Sequence, residues 1–573
     1  MSTPNASTVR KWDLLARVFL VLLPLLTFGP ALHFEFVRWD DDNNILNNPH
    51  VASLGWSEVT WMFTDVERAN RYLPLGWMTY AVERTLWGSD PFMFHLGNLV
   101  LHIINGLLLF AVLKRMLRRL GGEGREAGPE RVVASALGAM FWSVNPLRAE
   151  VVAWSSASIY LMATFWFLLA LWNYLDDGRS APRKRRWAMV FYGLSLLTYP
   201  VAVLAGPTFV LLDWLVLRRL PARILEWTRK EVRMVWLEKV PFVGLSLVWV
   251  ALMVLTRNRS LDLSYVDTLA VFDVPHRLAQ GMLGMIYYVA KPFWPMELAP
   301  KYGNLYQFGV GEARFLVSGV LVIGVSVACL VLARRRPVFL GLWLAHLLWF
   351  LPFVGLTEYP HSFYDRYTYA AGALLSLMVA LLLWAGWRRT ATRWLGGGMA
   401  VAAVFFFMTL SAGQIHTWQN TAEVRLAVAD ALMHPELRAE HEQVAGQYYM
   451  EQQDPERAIE CFALAWQHDR SEWDYRLDMG DALAALGREA QALEVFREMA
   501  ALPGGEIRPR LHLGVSFCKL GRLEEGMAVF RALLEEHPGL EKAQHNLALA
   551  DERRREIQDA SRTTPDIRPV SNP

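Results

Sequence analysis

The chain has 573 residues, 54% of them hydrophobic and 20% charged, with 24 Trp. That is too apolar for a soluble enzyme and too charged for a bundle lying wholly in lipid, so two regions share it. A formal net charge of +2, with the basic residues in short clusters between apolar runs and not on one surface, gives no sign of nucleic-acid binding, and three cysteines, Cys329, Cys461 and Cys518, exclude a disulfide framework.

The first apolar stretch, Leu14 to Leu32, lacks a small-residue cleavage site and is expected to stay as an anchor. With it, runs at roughly 14–33, 92–113, 132–145, 151–175, 187–199, 201–217, 240–256, 315–333, 337–356, 367–387 and 394–412 predict about eleven transmembrane helices. With a cytoplasmic N-terminus, the inner loops hold more than twice the Lys and Arg of the longer outer loops, which fixes the orientation. Leu278 to Trp294 is then expected to be an interfacial or re-entrant helix, because a full span there would put Arg334, Arg335 and Arg336 outside. The outer segments are 34–91, 145–150, 257–314 and 357–366, and loops as long as the first and third are seldom mere connections.

Just past the first span comes Trp39-Asp40-Asp41-Asp42. Three adjacent carboxylates at a low-dielectric boundary cannot all ionise freely, so either one holds a raised pKa or a cation sits among them. On the second span His95, Asn98, His102 and Asn105 fall on one helical face, where the three deeper residues suit hydrogen bonds between helices and His95, nearest the outer end, suits the cavity. Ser155, Ser156 and Ser158 open the 151–175 segment, a sign of a broken or partly wet helix start.

After residue 412 the pattern changes. Gly446, Gly480, Gly514 and Ala548 recur every 34 residues, accompanied by Tyr449, Leu483 and Phe517, by Ala458, Ala492 and Gly526, and by Phe462, Phe496 and Phe530. That period and those residue types are the pattern of tetratricopeptide repeats, with Gly487 and Gly521 closing turns and Pro538 stopping the third repeat. The expected organisation is therefore all-α: a polytopic membrane domain over 1–412, a connecting helix over 413–440, an α-solenoid of three repeats and a capping helix over 441–556, and a disordered tail over 557–573. The repeats are placed on the outer side to bind a protein, with Tyr449 and Arg476 marking their groove.

The stretch from Phe36 through the three aspartates to Val51 resembles the first external loop of the transmembrane and tetratricopeptide-repeat O-mannosyltransferases, a family within the GT-C glycosyltransferases. Tyr72-Leu-Pro-Leu75, Phe94 to Asn105, Asn145 to Val151, Trp294 to Tyr302 and Asp365-Arg-Tyr-Thr-Tyr369 follow in the family's order. The chain departs from that pattern at Asn145-Pro146, at Ser156 to Ser158 and at Tyr199-Pro200, where the family usually has His-Pro, Gly-Arg and Lys-Glu. The resemblance implies a GT-C bundle that moves a hexose, mannose by analogy, from a polyprenyl-phosphate donor to a Ser or Thr hydroxyl of a protein on the external face.

Such a transfer needs a carboxylate to take the proton, positive charge for the departing phosphate, and exclusion of water. Asp41 is the first choice of base, with Asp40 and Glu150 beside it. Arg366, Lys301 and His95 are placed at the donor phosphate, and Arg148 is an alternative partner for Glu150. Asp40 and Asp42 offer the hard oxygens that Mg²⁺ or Mn²⁺ prefers. A bacterial inner membrane fits the short, Arg-rich inner loops. A surface-polysaccharide polymerase or ligase would not rely on the acidic run, and a non-catalytic scaffold would use the repeats alone.

Overall fold

The computed structural model describes residues 6–68, 71–121, 128–176, 178, 180–260, 274–302, 309–355, 363–387, 390–502 and 507–563. Among them all regular structure is helical apart from one isolated bridge, Tyr302 to Phe363. The chain divides into two units, Met1–Val424 and Arg425–Pro573.

In the first unit, α1 (Ala6–Phe28), α4 (Pro91–Leu120), α5 (Pro129–Ser143) and α7 (Ser158–Tyr174) pack side by side, with α14 (Thr368–Gly386) and α15 (Thr390–Gln414) against them. Their starts follow from local chemistry. Pro91 and Pro129 each occupy a first helical turn, where a missing N–H costs nothing, and the Asp90 carboxylate accepts from Phe92 N at 3.1 Å. Between α1 and α4 lie α2 (Trp56–Thr64) and α3 (Pro74–Trp87).

Seven described helical stretches are long and apolar enough to cross a membrane: Ser7–His33, Pro91–Leu120, Ser155–Tyr174, Lys230–Thr256, Ala313–Leu332, Asp365–Gly386 and Thr392–Trp418. The protein is thus a multi-pass membrane protein. The other four of the eleven expected spans fall on helices that are shorter or more charged: α5, α8 (Ala181–Thr198), α9 (Thr208–Leu215) and α13 (Pro337–Phe350). At about 1.5 Å per residue the 15 residues of α5 reach only about 22 Å, short of a hydrocarbon core of about 30 Å. Asn145-Pro146 follows α5, Pro207 precedes α9, and α8, although 18 residues long, opens on four basic residues, Arg183 to Arg186. The stretch expected to be interfacial is α11 (Val274–Ala290), with α10 (Arg233–Ser260) before it and α12 (Ala313–Leu332) after.

In the second unit three helix pairs follow one another: α17 and α18 (Pro435–Glu451, Pro455–His468), α19 and α20 (Asp474–Ala485, Glu489–Ala500), and α21 and α22 (Ile507–Lys519, Leu523–Glu536). The small residue of each first helix makes room for the aromatic of its partner: a Cβ on Gly446, Gly480 or Gly514 would lie 2.5 Å from Phe462, Phe496 or Phe530. Gly487 and Gly521 turn the chain at φ +79° and +77°, and Gln453 holds the equivalent place in the first repeat at φ +60°. The capping helix α23 (Glu541–Thr563) runs beyond the expected end at 556, and the remainder of the expected tail lies outside the described residues. Two short helices, α16 (Thr421–Ala431) and the start of α17, stand where one connecting helix was expected.

Tyr449 is 7% exposed and packs on Tyr448 with the Arg457 guanidinium over its ring, so it fills the first repeat and is not a groove side chain. Arg476 is paired to Glu498 at 3.0 Å.

Candidate active site

The acidic run folds back on itself directly after α1. Asn47 N donates to Asp42 O across a wide turn, and Asp41, at its head, has 0% exposure. Its Oδ2 accepts from Val37 N at 2.9 Å and its Oδ1 from Ser156 N at 2.8 Å, while the Ser156 hydroxyl donates to the same Oδ1. Burial lifts this carboxyl to about 7 despite those donors, and the neighbouring Asp40 pushes it further in the same direction. The serines that open the 151–175 segment therefore form a break between α6 (Ala149–Ala153) and α7 at which the Ser156 N–H and hydroxyl face the acidic loop.

A second carboxylate meets the same break. Ser158 Oγ donates to Glu83 Oε2 of α3 at 3.0 Å, and burial raises Glu83 to about 8. Tyr80, one turn earlier, donates to Ser156 O at 2.5 Å. Asp40 is half-buried beside them, close enough in electrostatic terms to act on both Asp41 and Tyr80.

Glu150 is paired, though not to Arg148. Its Oε1 accepts from the Arg366 guanidinium at 2.5 Å and its Oε2 from Arg366 N at 2.8 Å. Burial pushes the Glu150 carboxyl up, and Arg366 opposes it. Arg148 points instead to Thr368, donating to its carbonyl at 2.9 Å and its hydroxyl at 2.7 Å. The Arg366 guanidinium lies 3.7 Å from the Tyr364 ring centre and 5.4 Å from that of Trp154.

A third group, like Glu83, was not legible in the sequence. Arg71 donates to the Tyr199 hydroxyl and lies over its ring at 5.3 Å, and Tyr160 donates to the same hydroxyl at 2.8 Å. Arg71 is within electrostatic reach of Tyr367 and Arg366, so two guanidinium groups share one neighbourhood. Two of the three departures from the family pattern, Ser156 to Ser158 and Tyr199-Pro200, thus fall at the hydrogen bonds of this site. The only local signal for Arg71 was its place just before Tyr72-Leu-Pro-Leu75. The third departure, Asn145, caps the turn after α5 and donates to Pro292 O at 2.8 Å.

His95 is buried on α4, edge-on to Phe34 of the loop that leads to the aspartates. The deeper residues of that face join helices as expected: Asn98 donates to Trp154 O, Asn105 to Leu161 O, and His102 lies 2.8 Å from both Tyr369 Oη and Ser143 O. Lys301 is half-buried next to Tyr302, whose hydroxyl reaches Asp365 at 3.2 Å. Among the described residues no three His, Cys, Asp or Glu side chains are grouped to hold a metal, and Asp40 and Asp42 are both half-buried in the acidic run.

Fold and site together define a multi-pass membrane protein with tetratricopeptide repeats and a buried carboxylate and guanidinium site at one end of its bundle. Residues 510–539 match the model described as tetratricopeptide repeat. The chain is similar to curated proteins named Protein O-mannosyl-transferase. These are TMTC1 of Homo sapiens (30% identical over 165 residues, 27% of this chain and 17% of that protein), Tmtc3 of Drosophila melanogaster (29% over 138 residues, 22% and 15%) and TMTC4 of Mus musculus (29% over 181 residues, 30% and 24%). The matched stretches span less than a quarter of the length of each of these relatives. No solved structure matches the chain. The resemblance carried by the acidic run and the motifs after it is thus met by relatives of that same family.

Proposed function

We propose that this protein is a GT-C-type glycosyltransferase that moves a hexose, mannose by analogy with its relatives, from a polyprenyl-phosphate donor to a Ser or Thr hydroxyl of a protein on the outer face of the membrane, in a bacterial inner membrane. The observations that carry the reading are the Asp41–Ser156 pair and the Arg71–Arg366 neighbourhood, joined through Tyr80, which donates to Ser156 O and lies within electrostatic reach of both Asp41 and Tyr199. Asp41 is sealed, with three donors on its oxygens, so it is the positioning carboxylate: it fixes the head of α7 and, when charged, raises the basicity of its neighbour. Asp40, half-buried, is then the carboxylate that meets the acceptor hydroxyl. The proton passes to Asp40 as the acceptor oxygen bonds to the anomeric carbon from the face opposite the phosphate, which leaves with the bonding pair.

Arg366 and Arg71 receive the negative charge that builds on that phosphate. Glu150 holds Arg366 in place and neutralises it until the donor arrives, and the hydroxyls of Tyr160 and Tyr199 orient Arg71. The repeats recruit the acceptor.

The test is a glycopeptide comparison of exported proteins from cells carrying wild type, Asp40→Asn, Asp41→Asn or no protein. Hexose increments present with wild type and absent from the other three support the reading. Identical profiles in all four would refute it.

A further inference from the structure

At the far end of the same helices lies a second feature that the transfer reaction does not use. The N-terminal turns of α1 and α5 and the C-terminal turns of α4 and α7 enclose a cavity of about 510 Å³. Six cationic side chains line it: Arg10, Arg17, Lys114, Arg115, Arg118 and Arg131. One carboxylate, Asp13, faces them, and it is occupied by Arg17 at 2.8 Å and by Lys114. Arg115 is turned toward α7, where its guanidinium stacks 3.6 Å from the Trp172 ring centre and donates to Trp172 O at 2.5 Å, with Asp176 at 3.9 Å.

The excess of basic residues on inner loops explains why cations lie at this end of the bundle. It does not explain why six from three helices line one cavity, since like charges brought together repel. The walls are mixed: Leu14, Ala111, Val132 and Trp172 continue the cavity into the apolar faces of α1, α4, α5 and α7. Positive charge at the mouth of an apolar cleft, at the level where a bilayer meets water, is complementary to a phosphate attached to an acyl chain. We infer that this cavity is a binding site for the phosphate headgroup of an anionic membrane lipid, held by Arg10, Arg17, Arg118 and Lys114, with the first methylenes of its chain against Leu14 and Trp172.

The full chain, purified in neutral detergent, is exposed to phosphatidylglycerol or to phosphatidylcholine with the same acyl chains, and retained lipid is counted by native mass spectrometry. Wild type is expected to retain phosphatidylglycerol at least about tenfold better. Arg10 and Arg118 are exposed, so the double variant Arg10→Gln, Arg118→Gln leaves packing intact and should lower that retention about tenfold or more. Ala111→Trp fills the cavity with every charge kept and should lower it as well, which covers failure of the double variant to fold. Asp13→Asn should keep the lipid. Equal retention of the two lipids, or undiminished retention in folded variants, would overturn the inference. Displacement of the lipid by millimolar inorganic phosphate would assign the cavity to a soluble anion and overturn its lipid source.

Discussion

Ser156→Ala isolates the hydrogen bond on which the proposed division of labour between Asp40 and Asp41 depends. The change removes one of three donors to the Asp41 carboxylate and keeps the other two, Val37 N at 2.9 Å and the backbone N–H of residue 156 at 2.8 Å. A hydrogen bond to a charged group contributes about 1.5–3 kcal/mol, and about 1.4 kcal/mol corresponds to one pH unit, so the Asp41 pKa should climb about one to two units above its value of about 7. Because the charged form of Asp41 is the one that raises the basicity of Asp40, the acid limb of hexose transfer should move to higher pH by the same amount, with a similar plateau beyond it. Stability moves consistently. The folded carboxyl keeps its proton above the ordinary 3.8, so the stability it confers is complete below about pH 4 and declines as the pH rises toward about 7, and the variant extends that decline upward. Transfer of hexose to a peptide acceptor, measured across pH alongside the infrared carboxyl band, tests both effects. A limb that stays in place or moves to lower pH would refute the reasoning.

Glu150→Gln leaves the Arg366 guanidinium buried beside a neutral amide and should cost about 3–5 kcal/mol, read as a drop in thermal midpoint in detergent, with partial recovery in the Glu150→Gln, Arg366→Met double variant. Arg71→Met should lower kcat/KM for the lipid donor about tenfold to a hundredfold, since one charge-assisted contact is lost, while the melting curve hardly moves. Gln453→Gly should stabilise the repeats by about 1 kcal/mol, because residue 453 sits at φ +60° where the equivalent positions carry glycine; chemical denaturation followed by circular dichroism would show it.

The solenoid was readable because its code is local: one period of 34 residues sets each glycine against a phenylalanine of the next helix. The apolar runs located the helices for the same reason, but not which of them are long and apolar enough to cross a bilayer, since α9 and α13 are shorter than their runs and α8 opens on four basic residues that lie outside its run. At the site, the three aspartates announced themselves by crowding, whereas Glu83 gave no signal. The carboxylates' partners gave none either. Ser156 is 115 residues from Asp41 and Arg366 is 216 from Glu150, separations at which nothing local constrains a pairing, and the choice between Arg148 and Arg366 fell to the one whose backbone N–H also reaches the carboxylate. Arg71 stayed hidden because a lone arginine in a long loop has no pattern, and only the fold brings it to Tyr199.

The chain leaves the bundle through residues that also brace the acidic loop. Glu35 N donates to Gln419 O at 3.0 Å, Arg38 N to Thr421 Oγ1 at 3.0 Å, and Trp418 stacks on Trp154 at 5.5 Å, one residue before the serine break. The end of the last apolar run at 412 is therefore the wrong place to cut. A membrane half terminated there would lose the struts on which Asp40 and Asp41 rest and should read as inactive for reasons unrelated to the repeats. One ending after Val424 keeps those struts, and only that version can reveal what the solenoid itself adds.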